Sequence, residues 1–483
     1  MYLALDQGTT SCRAFVFDAG GAVVSFAQRE FAQHFPGEGR VEHDAMEILS
    51  AQLEVADRAV EQAGGEIMGV GIANQRETVV VWERSTGRPI HRAIVWQDRR
   101  TAPVLAGMSS RAQEVLEATG LPLDPYFSAA KIAWILDEVP GARAAAERGD
   151  LCAGTIDTWL LFHLTGGRCF ATEPGNASRT SLYDSRTGAF SDRLCELFRV
   201  PSRCLPEILP SAGCFGEVEG RGWPLRAVLG DQQAALFGHG CTRPGEAKCT
   251  YGTGAFLLVQ CGLDRPVPRG GVLCTVAWRI GDREFFALEG SVLVCGAAVQ
   301  WLRDQLGLIE DAADVERLAR TVADSGGLVF VPAFAGLGTP HWDPRARGLW
   351  IGLTRGTGRG HLARAVLEGM AQQVADLVEA LQSDGRGLGD LRVDGGAARN
   401  DLLLELQAGL SGLPVVRPEF AEATAFGAFR MALLGADPHR SLDDLPAMPG
   451  GSRRFDPPAG FDRSASRARW REAVERARDW ARP

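Results

Sequence analysis

The chain opens on an apolar run, Leu3 to Leu5, that breaks at Asp6-Gln7-Gly8-Thr9-Thr10. Apolar character resumes over Ala14 to Phe17, breaks at Ala19-Gly20-Gly21, and returns over Val23 to Phe26. Short apolar runs cut by Gly- and Thr-rich turns predict successive strands. Asp44 then stands ahead of a helical pattern with Glu47 three residues on. That Asp-x-x-Glu order predicts a capping box, with the Glu47 carboxylate reaching back to the cap. Met68 to Ala73 and Val79 to Trp82 read as buried strands, followed by alternating helices and short strands. A further apolar run, Ala227 to Leu229, ends in Gly230-Asp231-Gln232-Gln233.

The opening pattern then recurs. Cys249-Thr250-Tyr251-Gly252-Thr253-Gly254 is a polar turn, left by an apolar strand from Phe256 to Gln260. Val272 to Trp278 and Glu284 to Leu288 follow as strands, and a helix is expected over about 291–306. Both halves therefore start with strands around a Gly-Thr turn. The break falls near Thr242 to Glu246, where Arg243-Pro244-Gly245 interrupts the pattern. A chain of 483 residues is too long for one core. Two domains, 1–243 and 244–483, with a cleft between them, are the expectation. At the far end, Trp470, Val474 and Trp480 recur at helical spacing within 464–480, an amphipathic packing helix.

Three Gly-rich elements carry candidate chemistry. At the end of the first strand, Gly8 permits close approach of backbone N–H groups to an anion, and Thr9, Thr10 and Ser11 add hydroxyls. Arg13 can reach back with a guanidinium, and Asp6 is a hard oxygen ligand suited to Mg²⁺. The second element is Tyr251-Gly-Thr-Gly254, and the third is Val393-Asp394-Gly395-Gly396 ahead of a helix. Each alone is as readily a tight turn as a phosphate or nucleoside contact. Their pairing across two half-chains favours nucleotide binding, because two domains closing on ATP would each offer one.

Composition narrows this further. Hydrophobic residues at 45% and charged residues at 23% are those of an ordinary soluble globular protein. A net charge of −9 and a pI of about 5.5 provide no basic field for nucleic acid or an anionic membrane. Of 51 lysines and arginines only Lys131 and Lys248 are lysine, and neither sits in a Gly-x-x-x-x-Gly-Lys-Ser/Thr run, which excludes a P-loop. Nucleotide phosphates would have to be met by backbone amides, hydroxyls, arginine and a metal ion. The 11 cysteines are odd in number and irregularly spaced with no Cys-x-x-Cys, arguing against a disulfide framework or structural zinc. The N-terminus runs directly into a strand pattern, and no run of about 18 apolar residues is present for a membrane span. A cytoplasmic protein is expected.

In this order the three Gly-rich elements resemble those of the superfamily of acetate kinase, sugar kinases, heat-shock chaperones and actin. Two longer stretches resemble the signatures of the FGGY family of carbohydrate kinases. One is Tyr126-Phe-Ser-Ala-Ala-Lys131-Ile-Ala-Trp134-Ile-Leu-Asp-Glu138. The other is Gly348-Leu-Trp-Ile-Gly352-Leu353 with His361-Leu-Ala-Arg-Ala365-Val-Leu-Glu368 after it. The resemblance implies an α/β fold of two RNase H-like domains, of the actin/hexokinase type, closing on a central cleft for ATP and substrate.

Within the family the chain resembles the members that phosphorylate glycerol, along nearly its whole length. The stretches are Asn74-Gln-Arg-Glu-Thr78, Ile94-Val-Trp-Gln-Asp-Arg-Arg-Thr101, Asp124-Pro-Tyr-Phe-Ser128, Gly154-Thr-Ile-Asp-Thr-Trp159, Asn176-Ala-Ser-Arg-Thr180 and Gly230-Asp-Gln-Gln-Ala-Ala-Leu-Phe-Gly238. The likeness implies that Arg76, Glu77, Tyr126, Asp231 and Gln232 hold glycerol hydroxyls, with Trp96 and Phe256 along its carbon side. It implies that Thr9, Thr10, Ser11, Arg13 and Thr253 meet the phosphates of ATP. Gly296, Gln300, Gly396 and Asn400 would surround the nucleoside. Asp231 would be the catalytic base and, with Asp6, a Mg²⁺ ligand. It also implies a homodimer or homotetramer.

The chemistry is coherent on its own terms. A triol needs donors and acceptors, which an Arg–Glu pair supplies, and an aromatic wall suits its C–H face. A carboxylate such as Asp231 accepts the proton of an attacking hydroxyl, and Asp231 could also cap the following helix. Taken singly, Arg76–Glu77 reads as a surface pair and Trp96 as core.

Three features depart from the family. Cys12 replaces a usual serine beside the phosphate turn. The segment between Gly216 and Gly230 is short and lacks the Gly-Gly-Thr-Arg loop that binds fructose 1,6-bisphosphate in some members, and no histidine lies between His163 and His239 for a phosphorylation switch. Neither control is expected here. The competing readings are a kinase of another polyol or ketose, and a non-catalytic ATP-binding clamp.

Overall fold

Two mixed β-sheets organise the chain, in a computed structural model that describes residues 1–383 and 387–481. The elements that position the site are, in order, β1 (Tyr2–Gln7), β2 (Ser11–Phe17), β3 (Val23–Glu30), α1 (Ala45–Ala63), β4 (Gly69–Asn74), α2 (Ser128–Glu138), β5 (Trp223–Gly230) and α3 (Asp231–Gly238). The second half supplies β6 (Ala247–Tyr251), β7 (Ala255–Gly262), β8 (Leu273–Ile280), β9 (Arg283–Val292), α4 (Gly296–Asp304), α5 (Arg359–Gln382) and β10 (Leu391–Asp394). It ends with α6 (Asp401–Ser411), β11 (Val415–Pro418), α7 (Ala423–Ala436), β12 (Ser452–Phe455) and α8 (Arg463–Ala477).

The first sheet runs β5-β4-β1-β2-β3, with the short strand Glu217–Val218 outside β5. β1 is antiparallel to β2 and parallel to β4, and β4 is parallel to β5. The second sheet repeats this plan around β6, which is antiparallel to β7 and parallel to β10. Its order is β8-β9-β7-β6-β10-β11-β12, so an extra strand lies beyond the position that β3 holds in the first sheet. The similar opening of the two half-chains is thus a repeated topology. A smaller sheet joins Glu42–His43, Ala93–Ile94, Val79–Glu83 and Leu151–Thr155.

Alternation along β1 assigns its two faces. Leu3 and Leu5 pack under α1 with Ile48, Val55, Val70 and Ile72. Ala4 faces the other way, with Phe15, Phe17, Ala73 and Leu229, onto Phe426, Phe429 and Met431 of α7. The opposite face of the first sheet is therefore covered by a helix from the second half. α7 crosses α3 closely: a Cβ on Gly427 would sit against the Ala234 carbonyl, and one on Gly238 against that of Ala423. Among the described residues no helix is long and apolar enough to cross a membrane.

Four local expectations need correction. The Asp44 carboxylate caps α1, accepting from Met46 and Glu47 N–H, but Glu47 accepts from Ala32 N–H, not from the cap residue. The chain leaving β3 passes over the first turn of α1 and takes that carboxylate. The helix expected from about 291 starts at Gly296, because β9 stays paired to β7 as far as Val292. The last helix ends at Ala477; Trp470 and Val474 pack beneath it, whereas Trp480 lies beyond its end, 72% exposed. Asp231 is the first residue of α3, and Gly230 holds the cap position.

Replacing Gly427 by alanine separates propensity from packing. Helix propensity alone favours alanine by about 1 kcal/mol. Backbone-to-backbone contact at the α3 crossing leaves no room for the methyl, so Gly427→Ala should destabilise by about 1–3 kcal/mol. A lower midpoint of thermal unfolding is the expected result, and a raised midpoint would show that the helices slide apart without cost.

Candidate active site

β1, β4 and β5 end side by side, with Asp6 opposite Ala73 and Gly230 opposite Asn74. Three segments therefore share one edge of the first sheet: the turn after Asp6, the loop Gln75–Thr78, and Asp231. β6 and β10 end together in the second sheet, with Thr250 opposite Asp394. Ligands of open α/β sheets bind at such carboxyl-terminal strand edges.

The loop after β4 is backbone-strained. Glu77 has φ 58°, and Thr78 N–H donates to Arg76 O at 2.7 Å. A left-handed non-glycine residue costs about 1 kcal/mol and persists where its surroundings fix it. Here Ser128 Oγ, at the start of α2, donates to Glu77 O at 3.0 Å, and Thr78 Oγ1 to Gln75 Oε1 at 2.8 Å.

The result is a buried ion network joining the two halves. Arg76 grips Glu289 of β9 with two hydrogen bonds, at 2.6 and 3.0 Å. Arg179 donates to Glu77 Oε1 at 2.6 Å and to Glu289 Oε1 at 3.0 Å. Arg76 Nε lies 3.5 Å from Asp231 Oδ1 and 3.9 Å from Glu77 Oε1. A Cβ on Gly230 would lie 2.8 Å from Arg76 Cδ, so the guanidinium crosses the end of β5 only because glycine stands there. Burial alone would raise the Glu289 carboxyl, but Arg179 and Arg76 hold it down to about 2. Burial raises the Glu77 carboxyl, opposed by the same two arginines. Asp231 is the most open member, its side chain 27% exposed; desolvation raises its carboxyl, against the pull of Arg76 and Lys248.

An aromatic wall stands beside this network. The Trp96 ring meets Tyr126 and Phe256 edge-on, at centroid distances of 5.7 and 6.0 Å. Leu121, Phe127, Leu273 and Trp342 complete the cluster. Trp96 Nε1 donates to Thr9 Oγ1 at 3.0 Å, tying the wall to the first turn. Both lysines are buried here. Lys131 donates to Tyr126 O at 2.6 Å, and burial lowers it to about 7. Lys248 donates to Gln232 Oε1 at 2.5 Å and to Thr250 Oγ1 at 2.9 Å.

On the first turn Thr10 is exposed, Thr9 half-buried and Ser11 buried. Arg13 pairs with Asp6 at 3.1 Å and with Glu422, just ahead of α7, at 2.5 Å. Asp394 Oδ1 is buried without a hydrogen-bond partner, and the only partner of Asp6 Oδ2 among the described residues is Arg13. Desolvation raises the Asp6 carboxyl, Arg13 counters, and the charges of Glu422 and Asp394 push it up again. Buried carboxylate oxygens with so few partners fit a hard divalent cation. No group of three His, Cys, Asp or Glu converges among the described residues, so protein would supply few of the ligands. Cys12 stands apart from the turn: its Sγ lies 3.7 Å from Ile48 O in the core under α1, where burial pushes the thiol up to about 12.

Thr253, Gly296, Gln300, Gly396 and Asn400 line one cleft of about 490 Å³ in the second half. Its floor is backbone on backbone. Gly296 N–H donates to Gly252 O at 2.9 Å, and a Cβ on Gly395 would meet Tyr251 O at 2.5 Å. Asn400 Oδ1 caps α6 through Leu403 N–H, which leaves its amide nitrogen for the cleft.

Every anticipated residue thus falls into one of three adjoining groups: the surroundings of the ion network and aromatic wall, the first turn, and the cleft. Sequence reasoning missed Arg179, Glu289, Lys248, Glu422 and Trp342. Arg179 sat inside a recognised stretch, and Glu289 was visible as a charge inside an apolar strand.

Comparison with known proteins bears on what this arrangement serves. Residues 1–238 match the N-terminal domain, and residues 247–436 the C-terminal domain, of the FGGY family of carbohydrate kinases. The glycerol kinase of Thermus brockianus is 54% identical, with 99% of this chain and 98% of that protein covered. That of Trichlorobacter lovleyi is 52% identical, covering 100% of this chain and 99% of its own. The crystal structure of Plasmodium falciparum glycerol kinase with ADP superposes with a TM-score of 0.91 at 33% identity, over 99% of this chain and 98% of that one.

The ion network should be costly to break. Glu289→Gln or Arg179→Met leaves a buried charge unpaired, an expected loss of about 3–5 kcal/mol measured by denaturant unfolding. Because the Glu289 carboxyl lies at about 2 when folded against an ordinary 4.5, its stabilisation is complete above about 4.5 and lost as pH falls toward 2. The acid-unfolding midpoint of Glu289→Gln should lose that dependence.

Proposed function

The chain belongs to the FGGY family of carbohydrate kinases, and we infer that it transfers the γ-phosphoryl group of ATP to glycerol, forming sn-glycerol 3-phosphate and ADP. The observation that carries the choice of acceptor is the meeting of Arg76, Glu77, Asp231 and Gln232 with the Trp96–Tyr126–Phe256 wall. A small polyol needs donors and acceptors on one side and an apolar face on the other.

In this reading Arg76, Glu77, Tyr126, Asp231 and Gln232 bind the hydroxyls, and Trp96 and Phe256 pack on the carbon chain. The nucleoside occupies the 490 Å³ cleft among Gly296, Gln300, Gly396 and Asn400, and Thr253, on the same cleft, meets the phosphates. Thr9, Thr10, Ser11 and Arg13 receive the phosphates from the opposite half. The glycerol oxygen attacks the γ-phosphorus, its proton passes to the Asp231 carboxylate, and the bond to the bridging β–γ oxygen breaks to release ADP. Arg13 offsets charge on the phosphoryl oxygens. Asp6 and Asp231 would hold Mg²⁺, which supplies further charge neutralisation there. The two units are taken as 1–243 and 244–483, closing on the ligands. A cytoplasmic location and a homodimeric or homotetrameric state belong to the same reading; light scattering reads the latter.

A coupled ADP-release assay over glycerol, dihydroxyacetone, erythritol, D-xylulose and D-ribulose tests the acceptor. Glycerol should dominate kcat/KM, a preferred ketose would refute the assignment, and ATP hydrolysis indifferent to every acceptor would point to a clamp. Asp231→Asn should keep ligand binding and lower kcat by about 10²–10⁴-fold. Since burial raises Asp231 above its ordinary 3.8 and the carboxylate is the active form, kcat/KM should fall as pH drops through a value above 3.8. That limb should vanish in Asp231→Asn.

A further inference from the structure

Lys131 and Lys248 are the only lysines in a chain that otherwise uses arginine for every cation, and both are fully buried beside the acceptor cluster. A lysine ammonium is a compact point charge with three donors, whereas a guanidinium needs room for five. At 248 that difference decides the state of a neighbour. Lys248 Nζ meets Gln232 Oε1 and Thr250 Oγ1. An ammonium only donates, so the end of the Gln232 amide facing it must be the oxygen. The usual ambiguity of amide orientation is thereby removed. Gln232 Nε2 has no partner among the described residues, and Gln232 follows Asp231 at the start of α3, where β5 ends.

We propose that Lys248 is a positioning residue which fixes the Gln232 amide with its nitrogen toward the acceptor, so that Gln232 donates a hydrogen bond to one of the two glycerol hydroxyls that do not react. This rests on the reading of Gln232 as an acceptor-site residue. Asp231 and Glu77 can only accept from substrate hydroxyls when ionised, so a fixed donor beside them sets the polarity with which one hydroxyl must bind. A diol lacking that hydroxyl leaves the amide hydrogen unpaired and is discriminated against.

The experiment compares kcat/KM for glycerol, propane-1,2-diol and propane-1,3-diol, which lack a terminal and the central hydroxyl respectively. Gln232→Ala tests the underlying reading: one glycerol/diol ratio should fall at least fivefold and the other change less than twofold. If neither ratio moves, Gln232 is not in the acceptor site. Lys248→Met frees the amide to rotate and should lower the same ratio at least threefold, with KM for ATP within threefold of the parent. A uniform drop in kcat with both ratios intact would reduce Lys248 to a structural role and overturn the proposal. Gln232→Glu retains the pairing with Lys248 but has no donor end, so it remains decisive if Lys248→Met does not fold. It should reproduce the Gln232→Ala ratio, and a retained ratio would overturn the proposal.

Discussion

Two guanidinium groups, Arg76 and Arg179, lie buried and can stay there only because Glu77 and Glu289 neutralise them. Desolvating an unpaired charge costs more than any single contact returns, so the pairing dictates where the surrounding elements stand. Glu289 must come in on β9 from the second sheet, Arg179 must lie over Tyr126 and Phe127, and Gly230 must lack a side chain. The proposed acceptor site is in this sense the solvent-facing margin of a salt-bridge core. Asp231, the network's partly exposed member, is where that core opens to solvent.

The same arrangement separates two chemical tasks. The first turn and Asp6 present hydroxyls, an arginine and buried carboxylate oxygens. The second-half cleft presents glycine backbone at Gly252, Gly296 and Gly396, with Asp311, Glu316 and Arg399 also on its lining. Lys248 stands between them, in register beside the strand that ends in Asp394. Charges of Asp6, Asp231 and Asp394 oppose one another across this space, and Arg13, Arg76 and Lys248 moderate them.

Legibility from sequence followed the range of the interactions. Strands and turns were readable because alternation and glycine placement are local, and the repeated Gly-Thr turns foretold the repeated sheet plan. The residues proposed to hold the acceptor were readable through their stretches. What escaped depended on contacts across the chain. Glu47 was drawn to the Ala32 amide, β9 ran on into the expected helix because β7 continued to pair with it, and Glu289 became meaningful only opposite Arg76 and Arg179. The rarity of lysine was visible from the outset and excluded a P-loop, and only burial turned it into a statement about the site.

Helix α7 gives the molecule an order in time. The ribosome delivers β1, β2, β4 and β5 early, yet the helix that covers their second face ends at Ala436. Until nearly nine-tenths of the chain has been made, Phe15, Phe17 and Leu229 have no lasting cover. The first half is therefore unable to finish folding as it emerges, and must wait, with an apolar face open, for a segment synthesised much later. Truncation before α7 removes the lid of a sheet built from the first half of the chain.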